Sequence, residues 1–143
     1  MLLDQKVGMM VWSPLSGGLL TGKYKRDGQK GEGRLNSFPF PPFHEERAYN
    51  VLDVLTPMAK QKQVSISQLA LAWLLHQQVV SSVIIGATKL EQLQDNLKSV
   101  DVVFTAEEIN QLDEVSQLPV EYPGNVLEIM TMDRSEGNDF LNS

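Results

Sequence analysis

The stretch Val80-Ser-Ser-Val-Ile-Ile-Gly-Ala-Thr-Lys-Leu-Glu-Gln-Leu-Gln-Asp-Asn96 sets the fold class. Its apolar run Val83-Ile84-Ile85 is short and β-branched, the pattern of a buried strand. The run stops at Gly86-Ala87, and a helix is expected next, with Thr88 as N-cap and Glu91 three residues on. Strand, small-residue turn and helix N-terminus in succession make an anion site, because backbone N–H groups and the helix dipole converge on the turn. Leu90, Leu93 and Leu97 supply the inner face of that helix, while Thr88, Gln92 and Asn96 share a polar one. The polar face reads either as the mouth of a phosphate site or as a solvated face with a capping threonine, and spacing leaves both open.

Upstream, Val7-Gly-Met-Met-Val-Trp12 is wholly apolar, like strands buried on both faces of a parallel sheet. Ser13-Pro14 ends it, since proline cannot donate to a ladder. The glycine-dense run Leu15-Ser-Gly-Gly-Leu-Leu-Thr-Gly-Lys-Tyr24 follows, and Lys25 to Phe43 is polar, glycine-rich and finally proline-rich. That leaves about 30 residues without a clear element, a length usual for lids and binding loops. A helix is expected over His44 to Gln63, with Tyr49, Leu52, Leu55 and Ala59 inward and Pro57 kinking or splitting it. Ser65 caps the next helix, with Gln68 at its third position and Ile66, Leu69, Ala70, Trp73 and Leu74 as its stripe. Thr105-Ala-Glu-Glu108 is a capping box for a last helix that turns Ile109, Leu112 and Val115 inward. From Pro119 the chain reads as a loosely attached tail.

Strand, loop, two helices, strand, helix, helix is an α/β order with a right-handed crossover. It supplies only two strands, whose edges would be open to pairing. The chain therefore reads as part of something larger.

Composition narrows the function. With 143 residues, 42% apolar and 21% charged, the chain is an ordinary soluble-domain sequence. A net charge of −6 disfavours nucleic acid and anionic membrane surfaces as partners. The lack of cysteine excludes disulfides and thiolate chemistry and is compatible with a reducing compartment. No run approaches the roughly 20 apolar residues of a membrane span, and Met1-Leu-Leu-Asp-Gln-Lys lacks a signal-peptide shape. A cytoplasmic setting is expected.

Several motifs are decoys. Gly17-Gly-Leu-Leu-Thr-Gly-Lys23 follows a strand and spells a Walker A loop short of its last residue. Tyr24 stands where a hydroxyl should hold magnesium, and Lys25-Arg-Asp-Gly28 reads as a turn where a helix should open. His44 and His76 lie on different helices, without metal-spaced companions. The pairs Glu45-Glu46 and Glu107-Glu108 fall in first helical turns, where negative charge is favoured anyway.

Three blocks in register carry a resemblance. Val11-Trp-Ser-Pro-Leu-Ser-Gly-Gly-Leu-Leu-Thr-Gly-Lys-Tyr24, Leu69-Ala-Leu-Ala-Trp-Leu-Leu75 and Val83-Ile-Ile-Gly-Ala-Thr-Lys-Leu-Glu-Gln-Leu-Gln-Asp-Asn96 resemble the aldo/keto reductase family, in the branch related to potassium-channel β subunits. The likeness runs from Leu3 to Arg134, leaving 135–143 as a flexible C-terminal tail. It implies the C-terminal part of a (β/α)8 TIM barrel that binds NADP(H) and reduces aldehydes or ketones to alcohols. Val7–Trp12 and Val80–Ile85 would be its seventh and eighth strands. Helices Glu45–Lys62, Ser65–His76, Leu90–Lys98 and Glu107–Val115 would be an extra helix, the seventh, the eighth and a post-barrel helix.

By the same resemblance Ser13, Leu15, Ser16 and Gly17 lie along the cofactor pyrophosphate, and Lys23 closes over it. Gly86 belongs to the turn, Thr88 matches the hydroxyl residue at the 2′-phosphate, and Lys89 is its counter-charge. Gln92, Asp95 and Asn96 match the polar positions around adenosine, Asp95 standing where a longer glutamate is common. The family's catalytic tyrosine, lysine, aspartate and histidine come from earlier strands, and Tyr24, Tyr49 and Tyr122 match none of them. The chain alone is thus expected to be inactive. Self-association, or a complementing N-terminal half, is the expected partner, and a small carbonyl compound is the substrate of the whole enzyme.

Overall fold

A computed structural model describes residues 1–26, 33–37, 40 and 43–119. The order is strand β1 (Met9–Trp12), a 3₁₀ turn (Ser16–Thr21), helix α1 (Arg34–Ser37), helix α2 (Glu45–Lys62), helix α3 (Ile66–His76), strand β2 (Val80–Ile84), helix α4 (Leu90–Leu97), a second 3₁₀ turn (Lys98–Asp101) and helix α5 (Ala106–Ser116). The two strands pair in parallel, Val11 with Val83 and Trp12 with Ile84, after an irregularity between Met9 and Met10. This is an α/β arrangement with a small sheet.

The helices begin where hydrogen-bonding side chains stand. Ser65 Oγ accepts the Gln68 N–H at 3.1 Å and starts α3. Thr105 Oγ1 accepts the Glu108 N–H, and Glu108 Oε2 accepts the Thr105 N–H at 2.7 Å, so the expected capping box opens α5. His44 and Gln63 flank α2 as its N- and C-caps. Leu55, Met58 and Ala59 of α2, Leu69, Ala70 and Ala72 of α3, Leu112 of α5 and the connecting Val102 and Phe104 form one core cluster. Lys62 fastens α2 to α5: its ammonium donates to Glu108 Oε2 at 2.8 Å and to the Val103 carbonyl at 2.9 Å.

The strands depart from expectation. Met10 is 70% and Trp12 55% exposed, and Ile84 is 46% exposed, so neither strand is buried on both faces. Among the described residues each strand keeps one edge unpaired, and α3 packs on β2. The face expected to point inward on α4 is also open, with Leu90 65%, Leu93 37% and Leu97 55% exposed, while Asn96 is buried instead. The helix is amphipathic as its spacing requires, but the described residues supply no surface to cover its apolar stripe.

Three local expectations also change. Lys89, not Thr88, is the N-cap of α4, and it makes no side-chain capping bond. Pro57 does not split α2, which runs unbroken from Glu45 to Lys62. Pro57 and Asp53 lie on exposed positions, so the Asp53 carbonyl that loses its N–H partner is on the solvent side, and the Thr56 hydroxyl donates to the Leu52 carbonyl beside it at 2.6 Å. The long stretch after β1 holds the 3₁₀ turn and α1 where no element was expected. The expected tail lies outside the described residues beyond Pro119. Among the described residues, no helix is long and apolar enough to cross a membrane.

Candidate functional site

Parallel pairing decides the geometry. Because Trp12 and Ile84 are register partners at the C-terminal ends of β1 and β2, the chain leaves both strands at the same edge of the pair. The run from Ser13 and the run from Ile85 therefore start side by side. That edge is where parallel α/β sheets place ligands, since the following loops and helix N-termini crowd there.

The first run is held in left-handed backbone. Ser13, Ser16, Gly17 and Gly18 have φ of 53°, 47°, 66° and 96°. Glycine adopts such angles without a Cβ penalty, which is why a Gly-Gly pair serves this turn. The turn is fastened internally: the Ser16 N–H donates to the Ser13 carbonyl at 2.9 Å, and the Thr21 hydroxyl donates to the Gly18 carbonyl at 2.7 Å. Leu15, Ser16 and Gly17 are half-buried, and Leu35 of α1 packs close over Gly17. Behind the turn lies an apolar cavity of about 230 Å³ whose lining includes Pro14, Leu20, Val51, Trp73 and Leu112.

Lys23 is exposed and returns over this turn. A Cβ at Gly18 would stand 3.0 Å from its Nζ, and one at Gly33 would stand 2.6 Å from it, so the ammonium lies between two glycines. It also sits 5.3 Å from the centre of the Tyr24 ring. A cation poised over a glycine turn suits an anionic group such as a pyrophosphate.

The second run is only partly as expected. Gly86 faces open space. Thr88 and Lys89 are exposed at the start of α4, but the Thr88 N–H donates to Gln92 Oε1 at 3.2 Å and its hydroxyl to the same oxygen at 3.3 Å. Gln92 thus occupies the donors that would meet a phosphate, and an anion would have to displace one flexible side chain. Asp95 turns the other way: its carboxylate accepts from Ser65 Oγ and from Gln68 Nε2, each at 2.6 Å, joining α4 to the start of α3. Asn96 is buried. The structure hence groups Gly86, Thr88, Lys89 and Gln92 on the open side and assigns Asp95 a packing contact.

Two cations were not singled out from sequence. Arg34 opens α1 next to Leu35, the residue that packs on Gly17. Arg26 reaches α2. Both lay in a stretch read as unstructured, and a cation within a turn carries no signal of its own. Among the described residues no group of His, Cys, Asp and Glu gathers for a metal ion.

Comparison with known proteins settles the family. Residues 1–117 match the model of the aldo/keto reductase family. The chain belongs to the aldo/keto reductase family. It is 36% identical over 124 residues to L-glyceraldehyde 3-phosphate reductase of Escherichia coli strain K12, an alignment covering 79% of this chain and 34% of that protein. To the probable voltage-gated potassium channel subunit beta of Oryza sativa subsp. japonica it is 35% identical over 117 residues, 78% of this chain and 36% of the other. The NADH-specific methylglyoxal reductase of E. coli strain K12 is 31% identical over 114 residues, 80% of this chain and 35% of the other. This aldo/keto reductase chain therefore spans about a third of the length of the relatives it matches.

Proposed function

We propose that this chain is the cofactor-gripping C-terminal portion of an NADP(H)-dependent aldo/keto reductase, with β1 and β2 as the seventh and eighth strands of a (β/α)8 barrel. The observation that supports it best is the shared edge: in a member of this family, the Ser13–Lys23 and Gly86–Gln92 runs leave the same end of a parallel strand pair. When bound, the nicotinamide would supply a hydride to an aldehyde or ketone. Ser13, Leu15, Ser16 and Gly17 would line the pyrophosphate, with Lys23 neutralising its charge. Thr88 and Lys89 would take the adenosine 2′-phosphate once Gln92 swings aside.

Reduction also needs a group that polarises and protonates the carbonyl oxygen. No residue of this chain matches that acid, so the chain alone is proposed to be inactive, with turnover restored by the N-terminal part added in trans. The small carbonyl substrate would be selected there as well. Calorimetric titration separates the parts of this proposal: NADPH is expected to bind weakly and NADH more weakly still. One relative is named as NADH-specific, and equal affinity for the two cofactors would remove the 2′-phosphate assignment. Steady NADPH oxidation with aldehydes by the chain alone would remove the claim of inactivity.

A second reading has its own observation. Met10, Trp12, Ile84, Leu90 and Leu97 are exposed on the strand pair and α4, and such faces drive association. We propose that the isolated chain self-associates through them. Light scattering should find more than one copy per particle, and a clean monomer would refute this.

A further inference from the structure

The residues that follow Lys23 in sequence are held by side chains and backbone of α1 and α2. Arg26 Nη2 donates to Asn50 Oδ1 at 3.1 Å and to Asp53 Oδ2 at 2.8 Å, both on α2. Its guanidinium lies 5.5 Å from the centre of the Tyr49 ring. Tyr49 is itself buried, and its hydroxyl donates to the Lys25 carbonyl at 3.0 Å. Residues 25 and 26 are thus gripped by three side chains from the second and third turns of α2. On the other side, Tyr24 is buried and its hydroxyl oxygen accepts the Leu35 N–H at 3.2 Å. Gly22, with φ of 77°, precedes the gripped segment and supplies a pivot.

We propose that Arg26 is a positioning residue, a latch that ties the Lys23-bearing segment to α2 and so fixes the Lys23 ammonium over the glycine turn. Without it, Tyr49 and Tyr24 still hold the segment, but among the described residues no other side chain ties its outer rim to α2, and the strap Gly22–Arg26 can lift. The Arg26–Asp53 pair is exposed, so its strength is modest and salt-sensitive. A latch of that strength can open and reclose. Only what Lys23 faces rests on the cofactor reading; the latch can be tested without any cofactor.

Amide exchange and the acylation rate of Lys23 by a small amine reagent, both followed by peptide mass spectrometry on the whole chain, decide the matter. Arg26→Ala should raise exchange of Gly22 to Lys25 and the reactivity of Lys23 about 2- to 5-fold, as an exposed ion pair allows, with α3 unchanged. Asp53→Ala should do the same, and the double variant no more. The swapped pair Arg26→Asp with Asp53→Arg should restore both readouts, and high salt should raise the parent toward the single variants. A general structural role for Arg26 would disturb α3 and would not be rescued by the swap. Unchanged exchange and reactivity in both single variants would overturn the latch. A latch response in a chain that fails to bind NADPH would sink the cofactor reading alone. If NADPH does bind, Arg26→Ala should speed its release several-fold, and an unchanged release rate would refute the positioning role.

Discussion

Leu69 on α3 has no exposed surface, while Leu90 on α4 keeps 65% of its own. Both are leucines in apolar stripes of amphipathic helices. The difference lies in what the neighbouring chain supplies. Around Leu69, α2, α5 and the Val102–Phe104 connection close the core from every side. Around Leu90, the strand pair stops after two strands and nothing among the described residues covers the stripe. Among the described residues the helical layer is a closed core, and the strand pair with α4 is an open apolar face. The relatives it matches are more than twice as long, and a further segment of chain or a second copy on the open side is what the proposed function expects.

Paired truncations test that contrast most strongly. Leu69→Ala should cost about 3 kcal/mol, the usual loss for a fully buried leucine. At dilutions where the chain is monomeric, Leu90→Ala should stay within about 0.5 kcal/mol, as exposed positions do. Urea denaturation followed by circular dichroism reads both. Equal losses would mean that the α4 stripe is covered, by a second copy or by the residues beyond Pro119, and repeating the melt across a concentration series would tell these apart.

The next effect is electrostatic and belongs to the helical layer. Burial pushes the Glu108 carboxyl up, but the bonds from the Lys62 ammonium and the Thr105 N–H outweigh it and hold it below its ordinary value. A lowered carboxylate stabilises the fold above its unfolded value, near pH 4.3 for glutamate, and loses that contribution as pH falls through the lowered folded value. Glu108→Gln should therefore cost about 1 to 2 kcal/mol at pH 7 and flatten the acid limb of the stability curve below about pH 4. Lys62→Met should flatten the same limb. If neither variant changes the acid limb, the α2–α5 fastening is not what holds this layer together.

What could be read from sequence follows the same division. Ser65 with Gln68 and Thr105 with Glu108 are local signals, complete within four residues, and both caps form as written. Leu55, Leu69 and Leu112 are inward as their spacing demanded, because their partners lie within the same chain segment. Val7–Trp12 is more exposed than its apolarity suggests, since apolarity does not say how many strands flank a strand and only β2 pairs with it among the described residues. Within the candidate site, the Gly17-Gly18 turn has a local signature because left-handed backbone favours glycine, whereas a place for Lys23 over it was implied only by the resemblance. The turn of Asp95 toward Ser65 and Gln68 was not legible, since a carboxylate at that spacing suits a solvated face equally well. Nor was the role of Arg26, whose partners stand 24 and 27 residues away.

The smallest effect is the sharpest test of the cofactor edge. Thr105 and Thr88 both precede helices and carry an acid or amide within the next four residues, yet only Thr105 caps with its side chain. Thr105→Ala should cost about 1 kcal/mol, the usual loss of a capping hydroxyl. Thr88→Ala removes only an exposed 3.3 Å contact to Gln92 and leaves the backbone N–H bond to the same oxygen in place. Its stability should change by no more than a few tenths of a kcal/mol. If Thr88 serves the 2′-phosphate, the same substitution should weaken NADPH binding several-fold and leave NADH binding alone, because only the former carries the group the hydroxyl would meet. Denaturation and titration on one variant thus separate a capping threonine from a binding one: a stability loss near that of Thr105→Ala with no change in cofactor preference would return Thr88 to the role of a plain cap.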